Sequence, residues 1–491
     1  MSTIDQLKQR SAELMDLQYA LALLQWDQEV LIPSRAAEGR ARQMATLSGV
    51  IHRKQTAPEL GALLDQAAQR QDGWPVADRA LVRVMKRQYD QSTRLPEEFV
   101  TRFSHLTSRA LAVWTEARKR SDFPRFAPLL EEVVAMCRRK ADYLGYPQVP
   151  YDALLDLHEE GLTTARVEEI LAGLAGPLTD LVRKLRGAGG SELRFAEPFR
   201  REEQAAFADR LLAAIGFDFE RGRQDISAHP FTTSLGHHDH RVTNRYRPDG
   251  LDFIFSALHE GGHALYEQNI GEALAGTALD SGISLGVHES QSRLWENIVG
   301  RSLPFWEHFY PELRQAFPAQ LGDLPLADFV AGLNLVRPGL IRVEADEVSY
   351  NLHVLIRFEL EKVLIDGTLA VADLPAAWNE KYRDALDVRV ERDAEGVLQD
   401  IHWSHGSFGY FPTYTIGNLA AAQIWEAYRG FDPHPEETLR RGDLARVRSW
   451  LAERIYRHGS IYPPAELIAA VTGRPLAADS FLSYLATKYT A

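Results

Sequence analysis

His259 and His263 stand one helical turn apart in the segment LDFIFSALHEGGHALYEQN, with Glu260 directly after the first of them. On a helix this spacing projects both imidazoles from one face, so both can reach the same ion. The pattern is the H-E-x-x-H signature of zinc peptidases. A bound zinc lowers the pKa of its water toward about 7. A neighbouring carboxylate can then take the water's proton and pass it to a leaving amine, and the spacing gives that role to Glu260. Gly261 and Gly262 each cost the helix roughly 1 kcal/mol relative to Ala, which makes sense if a neighbouring helix or a substrate approaches the bare backbone closely. Two histidines on an ordinary amphipathic helix can also match by chance, so the reading needs a third ligand.

Further along, LGVHESQSRLWENIVG offers candidates on a second predicted helix. Glu289 lies near its start, with enough chain before it for the first helix to end near Asn269 and Gly271 and for a loop to cross. His288 and Glu296 compete for the place. Glu296 falls almost two turns beyond Glu289 on a similar face, so spacing alone leaves the choice open.

The rest of the chain must position these groups. Its 491 residues suffice for two or three ordinary domains or one large helical body. An apolar fraction of 45% with 25% charged residues is that of a soluble globular protein. Lys plus Arg number 55 against 68 Asp plus Glu, and the formal charge of −13 argues against nucleic acid or anionic lipid as the main partner. The single cysteine, Cys137, has no internal partner; it fits a reducing compartment and a place in the core. The opening MSTIDQLKQRSAELMDLQ has no apolar h-region, and no apolar run reaches the roughly 18 residues of a spanning helix, so we expect a cytoplasmic protein.

Apolar residues recur at helical period over 4–24, 35–50, 76–92, 96–119, 124–144, 162–186 and 200–215, with Gly187, Gly189 and Gly190 marking a loop between the last two. From 229 to 247, HPFTTSLGHHDHRVTNRYR exchanges long helix formers for Thr, Val and Tyr, which predicts a short hairpin or small sheet. Helical period returns over 251–269, 287–302, 338–365, 375–387, 415–428, 442–457 and 463–472. The fold class is mainly α, with a small β element beside the candidate metal site. His229, His237, His238 and His240 crowd that element, but their spacing makes no better zinc set than the main one, and local hydrogen bonds or solvent are expected to satisfy most of them.

Six motifs, in order, resemble those of the M32 metallocarboxypeptidases, the thermostable carboxypeptidases of the Thermus type. They are HPF at 229–231, Asp239-x-Arg241-x-Thr243, HEGGH at 259–263, HESQ at 288–291, IRVEAD at 341–346 and GVLQDIHW at 396–403. The likeness runs from Trp26-Asp27-Gln28 to the closing YLATKY, although the turn after the first of these is weakened to Ile32-Pro33-Ser34-Arg35. The resemblance implies a single peptidase unit over 1–491, a helical body around a deep cleft, in which 1–228 forms the N-terminal helical part and cleft wall and 229–491 the catalytic part. It implies Glu289 as third ligand beside His259 and His263, Glu260 as general base, and one divalent metal per chain, zinc or else cobalt. It further implies a homodimer that removes single amino acids from the free C-terminus of peptides. An endo-oligopeptidase with the same centre, and a catalytically silent helical peptide-binding protein, are the competing readings.

A carboxypeptidase must recognise a terminal carboxylate, and the Arg fork suits it. Arg342 qualifies, with Asp346 four positions on as a helical ion-pair partner; so does Arg241, in a row with Asp239 and Thr243 on one strand face. Taken alone, the Arg342 pair reads as structural, and Arg241 as readily lines a cleft as binds substrate. In GVLQDIHWSHGSFGYFPTYTIGN, a loop leading into a helix near Thr415, His402, Tyr410 and Tyr414 are candidate donors to the oxyanion of a tetrahedral intermediate. Composition alone slightly favours a place in the core for each of them.

Overall fold

Caps and prolines divide the helical sequence where its period breaks. Ser2 and Asp5 form a reciprocal cap that opens the helix Thr3–Val30. Asp122 and Thr163 likewise cap Phe123–Leu144 and Thr164–Leu185. Pro58 and Pro464 open Pro58–Ala68 and Pro464–Thr472, at positions where a missing N–H is harmless. The computed structural model describes residues 2–186 and 190–490 and is mainly α with one three-stranded sheet. Of the expected glycine loop, Gly187 and Gly189 lie outside the described residues, and Gly190 lies against Ala331. Among the described residues no helix is long and apolar enough to cross a membrane.

The predicted helices at 76–92, 96–119 and 124–144 appear as Val76–Arg94, Glu97–Arg120 and Phe123–Leu144. Leu303–Ala316 and Asp479–Thr490 are helices the period did not single out. The main core is continuous from Phe99 to Leu485 and includes Cys137, whereas the N-terminal helices gather Leu7, Leu64, Leu81 and Met85 into a second cluster with Ile270, Leu274 and Leu279. That second cluster joins the N-terminal helices to the segment that follows the HEGGH helix.

The β element is larger than expected. Strands β1 (Gly222–Ile226), β2 (Thr232–Gly236) and β3 (Asp239–Asn244) pair in the order β1-β3-β2, β1 parallel and β2 antiparallel to β3. Central β3 buries Val242, Thr243 and Asn244, and β2 is an edge.

The expected helix over 338–365 is corrected by the structure. Only Tyr350–Asp366 is α-helix, and Arg342–Glu344 is a single tight turn. The cause is local: the Asp346 carboxylate accepts from the N–H groups of Val348 and Ser349 at 3.0 and 2.9 Å, a side-chain bond that competes with the helical ladder until Tyr350. Arg342 and Asp346 therefore do not form the helical pair their spacing suggested.

Candidate metal centre

Three glycines bring three helices to backbone contact around the histidines. A Cβ on Gly262, within the helix Asp252–Gln268, would lie 2.6 Å from the Gln291 carbonyl oxygen and 2.7 Å from Ser292 Cα. One on Gly417, within Pro412–Phe431, would lie 2.5 Å from Glu289 Cγ; one on Gly286, within Leu285–Arg293, would meet Ile416 at 2.6 Å. The close approach inferred from the glycine pair is thus met by the Glu289 helix at Gly262, and by Leu212 and Ile215 at Gly261. Because backbone blocks the space at Gly262, Gly262→Ala should destabilise the protein by about 1–3 kcal/mol, despite Ala's better helix propensity. Thermal unfolding would read this as a lowered Tm.

The Glu289 helix is set at its start by Ser284, whose φ of 54° is unusual for a residue with a Cβ and whose hydroxyl accepts from the Val287 N–H. Glu159 accepts from the Gly286 N–H at 2.9 Å in the first turn. Burial raises the Glu159 carboxyl to about 7, against the opposing pull of the Ser284 side chain and the Gly286 N–H. After Arg293 the helix widens into a π-turn, Leu294–Val299, a feature often found at functional sites. This turn carries Glu296.

These helices place Nε2 of His259 and Nε2 of His263 at 3.6 and 3.5 Å from the same oxygen, Oε2 of Glu289. The three residues form a group whose ligand atoms all lie within 4.8 Å of one another. Glu289 is held by Arg293 Nε at 2.7 Å and Ser292 Oγ at 3.1 Å. Burial disfavours its charge, but Arg293 and the histidines outweigh burial and keep the carboxyl well below its ordinary range.

The competitors Glu296 and His288 stand behind the histidines. Glu296 Oε2 lies 2.9 Å from His259 Nδ1, and His288 Nδ1 lies 2.6 Å from His263 Nδ1. His288 Nε2 in turn lies 2.8 Å from Glu267 Oε1. With neutral rings the proton assignment follows from the ends: a carboxylate only accepts, so His288 donates through Nε2, its Nδ1 accepts, and His263 donates through Nδ1. Glu296 likewise draws a proton to Nδ1 of His259. Both inward Nε2 atoms are then bare lone pairs, the form that ligates a metal.

Glu260 is buried beside them, and the Thr232 hydroxyl from edge strand β2 contacts its Oε2 at 2.7 Å. Burial raises its pKa, moderated by His259 and Thr232. Buried Glu260 and Glu289 and part-buried Glu296 thus bring three carboxylates together, with Arg293 touching two of them. A divalent cation fits this donor set in both charge and chemistry. A cavity of about 490 Å³ opens on the Arg293 and Glu296 side, and another of about 430 Å³ on the Thr232 and His288 side.

The remaining predicted residues fall into two places. Arg342 is buried; its Nε and Nη2 donate to Asp400 Oδ1 at 3.1 and 2.8 Å, and its Nη1 donates to the Tyr350 hydroxyl at 2.9 Å. Arg357 Nε donates to the other Asp400 oxygen at 2.7 Å. Tyr350 links this group to the centre, because Arg293 lies over its ring at 4.8 Å. His402, Tyr410 and Tyr414 cluster here, with ring centroids 5.3 Å apart for His402–Tyr410 and for Tyr410–Tyr414. Burial pushes both phenols up, and the Glu289 charge acts the same way, so both remain hydrogen-bond donors. Burial, with Arg342 and Arg357 nearby, lowers His402 to about 3 against the pull of Asp400.

Arg241 lies apart, on β3. Its Nε and Nη2 each donate to Asp239 at 2.9 Å, and its guanidinium lies 4.2 Å over the Trp26 ring. The expected polar row is present, with Thr243 bound to Ser227 and Phe231 instead of a neighbouring arginine. Thr232, Arg293, Glu267, Tyr350 and Asp400 were not singled out from sequence. Arg293 had a readable signal, four residues after Glu289 and three before Glu296.

A helical body closing on two histidines and a glutamate is the architecture of a metal-dependent peptidase. A family model described as Carboxypeptidase Taq (M32) metallopeptidase matches residues 6–489. Thermostable carboxypeptidase 1 of Thermus thermophilus is 43% identical over 486 residues, covering 96% of this chain and 95% of the relative. Carboxypeptidase 1 of Bacillus subtilis is 39% identical over 476 residues, covering 96% and 95%. The crystal structure of the M32 carboxypeptidase from Deinococcus radiodurans R1 matches with a TM-score of 0.97 at 41% identity, covering 100% of this chain and 99% of that one. The chain belongs to the M32 carboxypeptidase family, and it is a metal-dependent carboxypeptidase acting on peptides.

Proposed function

We propose that His259, His263 and Glu289 hold one divalent ion per chain, zinc in preference to cobalt, and that Glu260 is the general base for release of the C-terminal residue. The observation that carries this reading is the convergence of the two histidine Nε2 atoms on one Glu289 oxygen. Two imidazoles and one carboxylate are a donor set suited to catalytic zinc. When bound, the ion polarises the scissile carbonyl and acidifies water.

The chain's own residues do the rest. Thr232 fixes the Glu260 carboxylate, which takes a proton from the attacking water and delivers it to the departing amine nitrogen. Edge strand β2 leaves backbone groups beside Glu260 that an extended peptide can pair with. His402, Tyr410 and Tyr414 are the donors assigned to the oxyanion. Arg342, one aromatic ring from Arg293, is assigned to the terminal carboxylate, and Arg241 to the peptide further from the cleaved bond. The same reading takes residues 1–491 as one peptidase unit, with 1–228 as cleft wall and 229–491 as catalytic part, in a cytoplasmic homodimer.

Behind the ligands, Glu296 orients His259. Glu296→Gln should weaken metal affinity by about 10–100-fold, measured by competition with a chromophoric chelator. The exopeptidase reading is tested by comparing a peptide with its C-terminal amide. Only the free acid should be shortened, one residue at a time; equal cleavage of both, or cleavage at internal bonds, would favour the oligopeptidase reading.

A further inference from the structure

The tip of the β2–β3 hairpin is a His-His pair, His237 and His238, where tight turns more often use Asn, Asp or Gly. His237 is buried, and its Nδ1 lies 2.6 Å from Oδ1 of buried Asp280. Asp280 is itself fixed by the Tyr19 hydroxyl at 3.2 Å and the Gly276 N–H at 3.0 Å, so its carboxylate is set in place to accept the Nδ1 proton. His237 Nε2 then points outward to Glu272 Oε2 at 3.1 Å, and His238 Nε2 lies 3.5 Å from Glu272 Oε1. The ligand atoms of His237, His238 and Glu272 all lie within 4.8 Å of one another.

This repeats the arrangement of the main centre: two imidazoles and a glutamate, with a carboxylate orienting one imidazole from behind. Here, however, the outer two residues are open to solvent, His238 at 59% and Glu272 at 74% side-chain exposure. We propose that His237, His238 and Glu272 form a second divalent transition-metal site, weaker than the main one and outside the catalytic centre. Two imidazole nitrogens and a carboxylate suit zinc, cobalt or nickel over magnesium or calcium.

A bound ion would tie the hairpin tip to the turn Glu272–Leu274, which follows the helix Asp252–Gln268. The same hairpin carries Thr232, the partner of Glu260. Both ends of the hairpin would then be fastened to the metal-binding helix or its continuation. An ion that binds only the folded hairpin stabilises it by mass action.

The alternative is that His237 only bridges Asp280 and Glu272 through hydrogen bonds, with no affinity for metal. The test is calorimetric titration of the purified full-length enzyme with zinc chloride, starting from enzyme already loaded at its tight site. The wild type should take up a second, weaker equivalent, with a Tm rise of about 2 °C. The double variant His238→Ala/Glu272→Gln should lose that equivalent while keeping the first and its peptidase activity. Both substitutions are at exposed side chains, so folding is preserved, and His237 stays on Asp280. A loaded wild type that takes up no further zinc, or a loaded double variant that still takes up one more equivalent, would overturn the proposal.

Discussion

Glu260→Gln should lower kcat by about 10²–10⁴-fold while leaving a full complement of metal. The amide keeps the shape of the carboxylate and can still accept the Thr232 hydrogen bond, but it cannot take a proton from water. Burial holds the Glu260 pKa above its ordinary value, which makes the carboxylate a stronger base than one in solvent. Release of the C-terminal residue and metal content are measured on the same preparation. Normal turnover in the variant would remove Glu260 from the mechanism. Loss of turnover together with loss of metal would mean that Glu260 has a different role.

Glu289→Gln should weaken metal affinity by more than the roughly 100-fold upper range for a residue that only supports a ligand. The substitution removes the negative charge at the point where both Nε2 atoms converge, and leaves Arg293 without its closest carboxylate partner. Comparison with Glu296→Gln decides between the two acids that spacing left open. Greater loss at Glu289 makes it the ligand and Glu296 the residue that orients His259. The reverse order would exchange their roles.

Local signals were readable and tertiary ones were not. HEGGH needs only the pitch of a helix, so His259 and His263 emerge from sequence on one face, with Glu260 adjacent to the first of them. Glu289 needed a loop crossing, and only the family likeness separated it from His288 and Glu296. Both competitors lie close to the pair, since Glu296 contacts Nδ1 of His259 and His288 contacts Nδ1 of His263. Thr232 gave no signal, because its contact with Glu260 depends on how a sheet packs across a helix. Strand β1, GRQDI, lacks the alternating β-branched pattern and owes its conformation to pairing with β3. The helix expected over 338–365 starts only at Tyr350 because apolar period continues through a segment whose backbone donors are captured by Asp346. The partner of Arg342 is Asp400, inside GVLQDIHW and 58 residues away, a distance no local pattern bridges.

The central claim is the identity of the metal ligands, and anomalous diffraction at the zinc edge from crystals given one equivalent of zinc tests it most directly. The account predicts a dominant peak at about 2.0–2.2 Å from Nε2 of His259, Nε2 of His263 and a carboxylate oxygen of Glu289. A dominant peak elsewhere, or one at these histidines coordinated by Glu296 in place of Glu289, would contradict it.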